Sequence, residues 1–273
     1  MKRAWTVALL SLLLLPLVPT CAEAGAWLQK KNGGYVKISY ATFRSSTGFD
    51  QNGNTVDLND GTSSGDYTDI SFNTYLEYGL HDKLTLIANV PIKQASKAGE
   101  RSIGLGDLTA GLRTPVLSGP VVLSVSSCVK VPLYTQSQFA APSLGTANVD
   151  GDFRVLVGRS FWPIPGYGTA EVGYRRRGGF ADQIIYSAEI GGTFAKRVDA
   201  QIRIAGEDSR IDPSLVVLDP ANPNFGDQDF VNLGGGLAIK AGEISITFDA
   251  IHTVSGKNTA KGTYLGAGIS HSW

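Results

Sequence analysis

Thiols, imidazoles and thioethers are scarce in this chain: 273 residues hold two Cys, three His and one Met. The thiols are too few for a disulfide framework, because Cys21 falls in a leader-like segment and Cys128 is then alone. Three imidazoles, at His81, His252 and His271, leave little with which to build a metal centre or a general base. An excess of charge is missing too, since 24 Lys and Arg stand against 24 Asp and Glu. Binding to nucleic acid therefore has no electrostatic basis. Long apolar runs are absent beyond residue 18, which excludes membrane-spanning helices in the mature chain.

The one apolar run stands at the start. Lys2 and Arg3 precede it at residues 4–18, and Ala22-Glu23-Ala24 then offers the small residues that a signal peptidase reads. This predicts a cleavable secretory leader over 1–24 and a single domain over 25–273. A lipid-attachment signal would also end on a Cys, but it places small residues ahead of it, where this chain has Pro19-Thr20.

Gly is plentiful (33 residues), and the remainder is organised by alternation. The closing stretch shows the rule. Thr263, Leu265, Ala267, Ile269, His271 and Trp273 form one row, and Tyr264, Gly266, Gly268, Ser270 and Ser272 form the other. Successive side chains of a strand point to opposite faces, so this strand separates two unlike environments. The same alternation recurs over 36–42, 69–78, 84–93, 107–113, 121–131, 152–158, 169–175, 184–191, 199–207, 231–240 and 244–250, twelve strands with the last. Segments of about ten residues with alternating polarity are the signature of a transmembrane barrel. Connections alternate as well. Longer ones at 45–65, 96–103, 134–149 and 208–227 interleave with short turns at 81–82, 117–120, 163–166, 196–197 and 241–242. Short periplasmic turns and long outer loops have this parity. The expected fold is all-β: an antiparallel up-and-down transmembrane barrel of about twelve strands, in the outer membrane of a Gram-negative cell.

Charged strand residues fall almost entirely on the polar row, which predicts a charged lumen. The candidates are Lys37, Glu77, Lys93, Asp107, Arg113, Lys130, Arg154, Glu171, Arg175, Glu189, Asp199, Arg203, Lys240 and Asp249. They serve either as a ladder of ion pairs filling the interior or as the walls of an eyelet. Both signs are present, which argues against strong ion selectivity. Inward Ile87, Val122, Leu156 and Ile185 add an apolar patch. Arg159 breaks the rule, and either snorkelling or a bulge would accommodate it. Tyr78, Phe161, Trp162, His271 and Trp273 are placed for an aromatic girdle at the periplasmic interface.

The stretch 77–86, with Val90-Pro91 after it, resembles a recurrent strand–turn–strand of small outer-membrane proteins. Gly104-Leu105-Gly106-Asp107-Leu108 with Gly111-Leu112-Arg113 is similar to the strand that follows it there. The group is named after the meta-cleavage pathway of phenol degradation and is distantly similar to long-chain fatty acid channels. The resemblance implies uptake of small, aromatic or apolar molecules and names no solute. It also implies recognition of the aromatic-ended last strand by the barrel-assembly machinery, with membrane lipid as the other partner. Fatty-acid channels carry more strands and a plugging amino-terminal segment. Only residues 25–34 precede the first strand here, which does not predict a comparable hatch.

No catalytic site, metal or cofactor is expected. A Ser–His hydrolase would need His252 and Ser255 together, but alternation sends residues three apart to opposite faces. Asp50-Gln51-Asn52-Gly53-Asn54, with Asp57 and Asp60, begins like a calcium loop but lacks Gly at the sixth position and Glu at the twelfth. The alternative to a channel is a non-conducting barrel acting through its outer loops, with a lipid hydrolase as a third reading.

Overall fold

The computed structural model describes residues 25–58, 66–97, 99–135, 142–210 and 227–273. The expected leader at 1–24 and Asp60 lie outside them. The strands are β1 (Gly34–Phe49), β2 (Thr55–Asp57), β3 (Tyr67–His81), β4 (Leu84–Lys97), β5 (Glu100–Leu105), β6 (Asp107–Leu117), β7 (Val121–Pro132), β8 (Asp150–Ser160), β9 (Gly166–Arg176), β10 (Asp182–Phe194), β11 (Val198–Arg210), β12 (Asp229–Ala241), β13 (Ile244–Lys257) and β14 (Thr259–Ser272).

Twelve of these close an antiparallel barrel. Pairing runs from β1 to β3, β4, β6 and then in order to β14, which returns to β1. Closure leaves no unpaired sheet margin, the condition for strands to cross a bilayer. At the seam Tyr35 faces Ser272 and Thr42 faces Leu265. Gly34 and Trp273 exchange backbone hydrogen bonds of 3.1 Å each. A Cβ on Gly34 would sit 2.2 Å from the Trp273 ring, so the aromatic terminus requires glycine opposite it.

The faces sort inside out relative to a water-soluble protein. Ile190 and Ile202 are 58% and 63% exposed on the outer wall, whereas Thr85 and Ser124 are sealed inside. A contiguous apolar belt of this kind is stable only against lipid. Phe161, Trp162, His271 and Trp273 all lie at the end where the short turns are, with Tyr78 on the same rim.

Three local expectations are corrected. Residues 96–103 are not a long loop, because β4 continues to Lys97 and turns directly into β5. The ladder from β4 to its partner is offset at Pro91, which has no N–H for it. Between the pairs Asn89–Thr109 and Ile92–Leu105 the chain advances three residues on β4 but four on its partner. The interruption falls at Gly106, whose N–H donates 2.8 Å to the Pro91 carbonyl. Likewise 45–65 is not wholly a connection, since β1 runs to Phe49 and folds back as β2. On β13 an extra residue, Val254, puts Ser255 opposite Val231 while Thr253 faces Asn232. Beyond this bulge simple alternation no longer assigns faces, so His252 and Ser255 are not separated as the sequence implies. Instead, His252 Nδ1 lies 2.9 Å from Thr263 Oγ1. Arg159 has the opposite outcome. β8 keeps its register on both sides, so Arg159 remains outward and exposed, two residues before the Phe161 turn.

Candidate functional site

Inward residues on the same or nearby strands meet along the inner wall of the barrel, and their charges pair. Arg113 lies 3.2 Å from Glu77, and both are nearly sealed from solvent. Lys37 reaches Asp249 at 3.0 Å, Lys93 reaches Asp69 at 2.7 Å and Lys240 reaches Asp199 at 2.8 Å. Arg154 binds Asp152 at 2.8 Å and Glu171 at 3.1 Å, and Arg175 binds Glu207 at 2.7 Å. Lys130 bridges Asp107, at 3.5 Å, and Asp150. Arg203 is the loosest member, 3.7 Å from Glu189. Each of the fourteen charged candidates therefore has an ionic partner inside the barrel. Four partners, Asp69, Asp150, Asp152 and Glu207, were not among the candidates. Asp69, Asp152 and Glu207 already stand on the polar row, so alternation could have named them.

The amino-terminal segment enters this lumen, which spacing did not foresee. Ser124 Oγ donates to the Ala26 carbonyl, and Arg113 Nη1 donates 3.1 Å to the Trp27 carbonyl. Thr85 Oγ1 accepts the Gln29 N–H at 2.9 Å, and the Gln29 side-chain amide donates 2.9 Å to Glu77. The Trp27 ring meets Tyr167 edge-on at 6.0 Å. Residues 26–29 thus touch β3, β4, β6, β7 and β9 and narrow the bore at its short-turn end. Glycines permit the approach. A Cβ on Gly79 would fall 1.9 Å from the Lys30 carbonyl oxygen, and one on Gly158 would lie 3.0 Å from Trp27.

Open lumen lies against the other wall. A cavity of about 360 Å³ opens between β1, β3 and β11–β14, lined by Lys37, Phe43, Arg203, Asn232, Asp249 and Tyr264 among others. A larger apolar hollow of about 1050 Å³ is lined chiefly by outward residues such as Ile190, Ile202, Leu237 and Phe248, so it faces lipid rather than the bore. Of the apolar inward residues, Ile87, Leu156 and Ile185 are buried.

On the rims, Tyr78 donates 3.3 Å to Asn32, His271 stacks on Trp273 at 5.6 Å, and the Trp273 indole N–H donates 3.1 Å to the Asn32 carbonyl. The Asp50 carboxylate accepts the Asn52 and Asn54 backbone N–H groups at 2.8 Å each, closing a turn. No group of three or more metal-ligating side chains is found among the described residues.

Fold and lumen together define a transmembrane β-barrel of the outer-membrane type. No protein-family model matches the chain, and no curated protein does. Among solved structures it is similar to an outer membrane channel from Pseudomonas putida F1, with a TM-score of 0.69 at 14% identity, over 93% of this chain and 100% of that one. It is also similar to the translocator domain of the autotransporter NalP from Neisseria meningitidis, with a TM-score of 0.52 at 10% identity, over 89% and 90%. At such identities the similarity is one of fold.

Proposed function

We propose that the chain is a passive channel for small molecules in the outer membrane of a Gram-negative cell, delivered there by recognition of its last strand. The observation that carries this reading is the lumen, which keeps a polar cavity of about 360 Å³ instead of a packed core. Twelve strands lie between the eight that side chains fill and the sixteen that leave an open bore, so a narrow path is the physical expectation. The fold it shares with an outer membrane channel supports the same reading. The charged residues, from Lys37 on β1 to Asp249 on β13, are the walls of that path. The resemblance of 77–91 and 104–113 to the phenol-degradation group favours aromatic or apolar solutes.

One observation favours the alternative of a non-conducting barrel: residues 26–29 cross the periplasmic half and bond to its walls. Liposome swelling separates the two. Vesicles carrying the purified barrel should swell in isotonic arabinose faster than empty vesicles. Swelling no faster than the control, with the outer loops intact or trimmed, rejects the channel.

A further inference from the structure

Arg203 is the most loosely paired of the eight lumen cations named above. Its partner oxygen on Glu189 is 3.7 Å away, beyond hydrogen-bond reach, and its side chain is 38% exposed to the bore. Glu189 is meanwhile engaged by Tyr167, whose hydroxyl donates to it at 2.7 Å. The guanidinium faces the cavity of about 360 Å³, and within that lining two cations, Lys37 and Arg203, stand against one carboxylate, Asp249. Asp249 is already held by Lys37 at 3.0 Å, and Glu189 balances Arg203 without hydrogen-bonding to it, so the donors left open toward the cavity are those of Arg203.

Two further features narrow what would fit. Asn232 lies on the lining, and its Oδ1 is buried and receives no hydrogen bond, so a turn of the side-chain amide toward the cavity would give that acceptor a donor. A buried acceptor left in this state is destabilising, and a ligand hydroxyl would satisfy it. Phe43 and Ile251 supply apolar surface on the same lining. The volume falls at the small end of the usual range for small-molecule sites, roughly 300–1,000 Å³.

We propose that this cavity is a binding site for a single-ring aromatic monocarboxylate bearing a hydroxyl. Its carboxylate takes the coplanar fork of N–H donors along the edge of the Arg203 guanidinium. Its hydroxyl donates to Asn232 Oδ1, and its ring lies against Phe43 and Ile251. The inference rests on the channel reading and supplies its substrate class.

The test is calorimetric titration of the full chain in detergent with 4-hydroxybenzoate, with acetate and phenol as probes that lack the ring or the carboxylate. Saturable binding is expected for 4-hydroxybenzoate, at least tenfold tighter than for either partial probe. Arg203→Gln should weaken it at least tenfold, and Arg203→Lys should recover part of the loss. Asn232→Asp keeps the shape but adds a negative charge and should weaken binding to a similar extent, which decides the matter should Arg203→Gln not assemble. Absence of saturable binding, or equal affinity in these variants and the parent, overturns the proposal. Arabinose swelling on the same preparations keeps the two readings apart. A barrel that swells but does not bind loses this site alone, and one that binds but never swells loses the channel.

Discussion

The Arg113 guanidinium stands 3.2 Å from the Glu77 carboxylate in the short-turn half of the barrel, and each side chain retains 5% or less of its exposure. The pair also holds the chain that crosses the bore. Arg113 donates to the Trp27 carbonyl, and Glu77 accepts the Gln29 amide. One ion pair therefore fastens two strands, β3 and β6, to a segment without regular structure of its own.

Removing one partner of a buried pair leaves an uncompensated charge, which costs about 3–5 kcal/mol. Glu77→Ala should destabilise the folded barrel by that amount in a urea titration followed by heat-modifiable gel mobility. Arg210→Ala, whose pair with Asp208 is largely exposed, should change stability by less than about 1 kcal/mol. Equal effects would mean that the inner pair contributes no more than a surface one.

Leu233 and Asn232 are neighbours on β12 with opposite faces. An Arg facing lipid near mid-depth costs roughly 2–4 kcal/mol. Leu233→Arg should block assembly, while Asn232→Arg, which points into the bore, should still yield folded protein. Yields from detergent-extracted membranes check this directly. Equal tolerance of both would contradict the assigned faces.

The Asp50 turn gives a prediction in pH. Its carboxyl is held below the ordinary 3.8, first by the Asn54 backbone N–H and then by the Asn54 side chain. A depressed folded value means the stabilisation is complete above 3.8 and disappears as pH falls through the lowered value. The protection factors of the Asn52 and Asn54 amides, taken against the intrinsic exchange rate at each pH, should fall in that acid range. Asp50→Asn should leave those protection factors low at every pH.

Much of this was legible because a barrel writes its faces into the chain with a period of two. Leu233 against Asn232, and Lys37 against Ile38, are sorted by their spacing alone. Closure of β14 on β1 follows from the even strand count and the aromatic end. What alternation could not show is anything that breaks the period. Val254 inserts one residue into β13, Pro91 hands the ladder from β6 to β5, and both are invisible to a count by twos. Residues 26–29 were missed for a different reason. Their partners Glu77, Thr85, Arg113 and Ser124 lie 48 to 98 positions away and belong to separate strands. No local pattern encodes such contacts. The cavity beside Arg203 was likewise hidden, since being poorly paired is a property of distances and not of residue type.

Single-channel conductance in planar bilayers tests the central claim most directly, with the whole barrel compared against one lacking residues 25–31. A small, resolvable conductance that rises severalfold when the segment is removed is the predicted result. A barrel that stays closed in both forms while remaining folded would show that its lumen is no path for solutes.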